Sequence, residues 1–82
     1  MKSGFDEYTD VEIVKLNRRP EDYNGWGWNK YSPMLGEHGT IVHIFEKDNQ
    51  MVYVVEGEDV NGEPPWLGVF TEDEIRPLEK VK

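Results

Sequence analysis

Short β-rich runs of apolar residues, separated by turns marked with glycine, proline and asparagine, organise this chain. Residues 11–16 (VEIVKL) place apolar side chains at 11, 13, 14 and 16 and predict a first strand. Residues 17–37 break that pattern with Pro20, Asn24-Gly25, Gly27, Pro33 and Gly36. A stretch of that length inside a small domain is read as a loop folded back on itself, and Tyr23, Trp26, Trp28 and Tyr31 supply rings to pack it. Gly36-Glu37-His38-Gly39 then bends into a second strand over 40–45. A polar turn over 47–50 and a third strand over 51–55 complete an antiparallel hairpin. Residues 56–65 are turn-rich, with Gly57, Asn61-Gly62 and Pro64-Pro65. A fourth strand is predicted over 66–70 (WLGVF), with Gly68 at a bend or bulge. Thr71 and Glu74 have the spacing of a capping box, so one helical turn follows. Pro77 ends it, and a short closing strand is expected over 76–78.

The length, 82 residues, makes this one domain: a polar lead-in over 1–9, a barrel over 10–79 and a tail over 80–82. A chain so short buries only about 60% of its unfolded surface, which puts a premium on its three Trp, four Tyr and three Phe. No cysteine is present, so neither disulfides nor thiolate-bound zinc brace the fold. Residues 1–10 (MKSGFDEYTD) lack the apolar segment of a signal peptide, and no window approaches the roughly 18 apolar residues of a membrane span. A soluble, cytoplasmic protein is the expectation, monomeric or homodimeric.

Seventeen acidic and nine basic residues give a net charge of −8. Counterion release through Lys and Arg drives phosphate binding, and here those residues are few and scattered, so direct binding to nucleic acid is disfavoured. A basic partner suits the balance better. Catalysis has little material: the serines are Ser3 and Ser32, and the histidines are His38 and His43. On a strand over 40–45, His43 shares a face with Ile41 and Phe45 and reads as structural, whereas His38 reads as solvated. No enzyme activity, metal or other cofactor is expected.

The order strand, long loop, hairpin, second loop, strand, helical turn, strand describes an all-β, partly open barrel of about five strands. Val11-Glu12-Ile13-Val14, Gly36-Glu37-His38-Gly39-Thr40-Ile41-Val42, Tyr53-Val54-Val55 and Phe70-Thr71-Glu72-Asp73-Glu74-Ile75 carry a resemblance to the SH3-like barrels, including uncharacterised bacterial and phage families. The run Arg19-Pro20-Glu21-Asp22-Tyr23 is also similar to the Arg-Pro-Glu-x-Tyr opening of the small peripheral SH3-like subunit of photosystem I. That subunit docks acidic ferredoxin through basic residues, and the acidity of this chain argues against such a role. The resemblance implies a non-catalytic protein-binding module, such as an adaptor, an immunity-type protein or a phage- or bacterium-encoded inhibitor.

The candidate docking residues are Tyr23, Trp26, Trp28 and Tyr31, with Trp66 beside them and Glu21, Asp22, Glu58 and Asp59 steering a basic partner. The competing reading makes the same rings the core of a small barrel. Two other roles are an acidic mimic of nucleic acid, occupying the site of a nucleic-acid-binding protein, and an accessory subunit of a larger complex.

Overall fold

The β-rich runs form strands where the pattern predicts them, in a computed structural model that describes residues 5–24, 27, 29–58 and 62–78. These strands are β1 (Asp10–Ile13), β2 (His38–Lys47), β3 (Gln50–Gly57), β4 (Leu67–Thr71) and β5 (Ile75–Pro77). Every pairing is antiparallel, in one sheet of order β4-β3-β2-β1-β5. This is the all-β, partly open architecture expected, with a long first loop and a 3₁₀ turn, Glu72–Glu74, before the last strand. Among the described residues no helix is long and apolar enough to cross a membrane.

Local chemistry sets the turns and breaks. Asp48 and Asn49, at φ +52° and +63°, form a two-residue hairpin turn whose twist matches the strands it joins. The first strand stops earlier than its pattern, because the Val14 N–H leaves the ladder and donates to the Glu74 carbonyl at 2.8 Å. The expected bend at Gly68 is absent, as β3 and β4 stay in register through the Val55–Gly68 pair. Gly68 is there for space: a Cβ would meet the Phe70 ring at 3.0 Å. The irregularity lies in β2, between Ile41 and His43. That β-bulge turns His43 out to solvent, away from the face of Ile41 on which strict alternation puts it.

Val11, Ile13, Ile41, Tyr53, Val55 and Phe70 face inward from the strands. Tyr23 and Trp66 join them from the loops; they are 1% and 0% exposed. Tyr23 stacks on Phe70 at 4.9 Å, and Trp66 meets the same ring edge-on at 5.9 Å. Rings of this size each take roughly 150–250 Å² out of water, which a barrel this small needs for its core. The indole lies against Gly57, where a Cβ would meet it at 2.7 Å.

Among the described residues, one charged side chain is enclosed with these rings. Glu74 is 1% exposed, and both of its carboxyl oxygens are engaged. Its Oε1 accepts from the Thr71 N–H at 2.8 Å, one arm of the capping box. Its Oε2 accepts from the Asn17 N–H at 2.8 Å and from the Tyr23 hydroxyl. The Tyr23 oxygen in turn accepts from the Arg18 N–H at 3.2 Å. Burial, and then the adjoining Glu74, push the Tyr23 hydroxyl above its ordinary pKa, so it remains a donor. Tyr23→Phe keeps the ring packing and removes this donor; the expected loss is about 1–3 kcal/mol in urea-induced unfolding, the cost of under-satisfying a buried carboxyl. An unchanged midpoint would show that the hydroxyl holds nothing.

Candidate functional site

On β1 the buried Val11 and Ile13 alternate with Asp10 and Glu12, which together with Glu56 put charge on the side of the sheet away from the core, whereas β3 is buried on both faces from Val52 to Val55. Asp10, Thr40 and Glu56 are successive cross-strand neighbours there, with the Thr40 hydroxyl donating to Asp10 at 2.9 Å. One step along the strands, Arg76, Glu12 and His38 form a second row. Glu58 follows His38, its N–H donating to the His38 carbonyl at 3.0 Å and its carboxyl 4.0 Å from His38 Nδ1. Arg76 binds Glu12 at 2.8 Å.

These rows edge a shallow hollow of about 470 Å³. Asp10, Glu56 and Glu58 line it together with His38, Val42 and Leu78, and no Lys or Arg is among its described lining. Tyr8 stands at its rim, 74% exposed. Its position is forced by backbone, not by burial of the ring. The Thr9 N–H closes a turn onto the Asp6 carbonyl, and the Tyr8 N–H donates to Ile41 at 2.6 Å. Tyr8 therefore sits at φ +66°, a conformation that costs a bulky residue roughly 1–3 kcal/mol. A phenol face beside three carboxyl groups is suited to a cationic side chain.

A second, wider hollow runs between Phe5, Asn17, Gln50 and the 3₁₀ turn. Its acids are already committed within the fold. Asp73 accepts from the Thr71 hydroxyl and from Asn17 Nδ2 at 3.0 Å, with Lys15 at 3.5 Å. Glu72 accepts from the Tyr53 hydroxyl at 3.3 Å.

Among the described residues, the docking residues expected from the sequence do not gather at one hollow. Tyr23 and Trp66 are enclosed in the core and present no surface to a partner, which corrects their assignment: the barrel uses its largest rings to exclude water from itself. Tyr31 is half-exposed at 45% and donates to Glu37 at 3.2 Å. Glu21 and Asp22 are exposed on the first 3₁₀ turn, Pro20–Tyr23, and both are paired with Arg19, at 3.7 and 3.5 Å. Trp26, Trp28 and Asp59 lie outside the described residues. Of the described members of the expected set, Glu58 alone borders the acidic hollow. Tyr8, Asp10 and Glu56 were missed: Tyr8 falls in the polar lead-in, while the outward alternation of Asp10, Glu12 and Glu56 was present in the sequence as a signal.

No group of three or more His, Cys, Asp or Glu among the described residues is placed to hold a metal ion. No family model, curated protein or solved structure matches the chain.

Hydrogen bonds from Thr71 and then Asn17 hold the Asp73 carboxyl down at about 2, below its ordinary 3.8. A lowered folded-state pKa stabilises the fold fully above about pH 4 and loses that contribution as pH falls through about 2. Asp73→Asn is expected to flatten the decline in thermal midpoint between those two pH values. The effect is small, because Asp73 is half-exposed and solvent screens it. Identical acid profiles for the two proteins would sink the assignment.

Proposed function

We propose that this chain is a non-catalytic protein-binding module of SH3-like architecture that docks a basic segment of a partner on the outer face of its sheet. The observation that carries this reading is the convergence of Asp10, Glu56 and Glu58 on one hollow whose described lining holds no Lys or Arg, under the exposed ring of Tyr8. Carboxyl groups set around one hollow raise the local concentration of cationic segments and speed their capture. The phenol adds a cation–π face.

The sheet order, with a 3₁₀ turn between β4 and β5, supports the SH3-like assignment. The outer face favours a basic peptide over the mimicry of nucleic acid. Its row Arg76-Glu12-His38-Glu58 interleaves cationic or protonatable groups with carboxyls, where a phosphate-like track needs unbroken negative charge.

The test is titration of a fluorescent arginine-rich peptide against the wild type and against the Glu56→Lys/Glu58→Lys variant. At low salt the variant is expected to bind roughly tenfold more weakly or worse, and the wild type to weaken as salt is added. Thermal midpoints of the two proteins are expected to agree closely, as both sites lie on the outer face. Equal affinity of the two proteins would refute the site.

A further inference from the structure

The edge strand β4, Leu67–Thr71, reads LGVFT: it has no charge and no proline, and its outward side chains include Leu67 and Val69. Such a strand is a template for pairing with another chain. The opposite edge, β5, is three residues long and carries Arg76 and Pro77, both usual deterrents. Protection of β4 comes from elsewhere. The Asn29 side-chain amide lies along it like the backbone of a neighbouring strand, Oδ1 accepting from the Leu67 N–H at 3.0 Å and Nδ2 donating to the Leu67 carbonyl at 3.4 Å. Arg18 donates to the Val69 carbonyl at 2.6 Å while its guanidinium stacks on Tyr23 at 4.2 Å. The Lys30 N–H reaches the Pro65 carbonyl at 2.8 Å just before the strand, and Glu74 takes the Thr71 N–H at its end.

We propose that Arg18 and Asn29 guard the β4 edge, and that its occupant when they are removed is β4 of a second copy of this chain. The strand is uncharged and two residues long on either side of Val69, so two copies related by a two-fold axis pair antiparallel without opposing like charges at the seam. The rest of each copy carries −8 and repels the other, so pairing through this edge strengthens as salt rises. A basic partner on the outer face shows the opposite salt dependence, which keeps the two sites distinguishable.

The experiment is sedimentation of the full chain over a range of protein and salt concentrations. The wild type is expected to remain monomeric, and Arg18→Ala/Asn29→Ala to double its sedimenting mass, more completely at high salt, with new protection of the Val69 amide proton from exchange. Adding Val69→Pro, which removes that edge N–H, is expected to restore the monomer. A folded double variant that stays monomeric overturns the proposal, as does a dimer that survives Val69→Pro or a wild type already paired through β4. Where circular dichroism shows the double variant unfolded, Asn29→Ala alone is read, with Arg18 still on Tyr23. A dimer at high protein concentration then supports the guard, and a folded monomer overturns it.

Discussion

The enclosed carboxyl of Glu74 is the contact on which the rest of the molecule depends. It receives hydrogen bonds from Thr71, Asn17 and Tyr23, so it ties the end of β4, the start of the long loop and the loop's first 3₁₀ turn to one point. Burying such a group is favourable only when its lone pairs are satisfied, and satisfying them fixes three segments at once. Tyr23, held there, supplies the ring that stacks on Phe70 and the face on which Arg18 lies. Arg18 then reaches the Val69 carbonyl. A loop of two dozen residues therefore closes the open side of the barrel because one acid anchors its base.

Much of this was legible. The hairpin, the fourth strand and the capping box follow from β-branched runs, turn residues and the Thr71–Glu74 spacing, because those are local preferences that tertiary packing had no reason to override. The bulge in β2 was not legible: Ile41, Val42 and His43 carry no glycine or other mark, and the shift appears only in their register against β3. Gly68 had the mark of a bulge and a different purpose, since a glycine vacates room for a neighbouring ring as readily as it bends a strand.

Tyr23 and Trp66 were misread for a related reason. Aromatic side chains serve interfaces and cores through the same property, large area at low rotamer cost, so composition does not separate the two uses. Size does. A domain this short has few residues able to fill its centre, and Tyr23 and Trp66 are taken for that purpose. Tyr23 carried one further clue, the Pro20 that opens its 3₁₀ turn and points the ring at a fixed spot. Its acceptor, Glu74, is 51 residues away and can be paired with it only in three dimensions.

The placement of the few cations argues that the acidic hollow is more than residual negative charge. Lys15 lies with Asp73, Arg19 with Glu21 and Asp22, Lys30 with Glu63, and Arg76 with Glu12. Exposed pairs of this kind contribute about 0–1 kcal/mol each, too little for stability alone to dictate where they sit. Arg18 is committed to a ring and a neutral carbonyl, although carboxyl groups abound in the chain. Among the described cations, Lys15, Arg18, Arg19 and Lys30 lie on or beside the long loop, Lys47 ends β2, and Arg76 pairs with Glu12 on the outer face. No described Lys or Arg lines the hollow of Asp10, Glu56 and Glu58. On the proposed reading, a cationic segment is the partner that a hollow lined in this way selects.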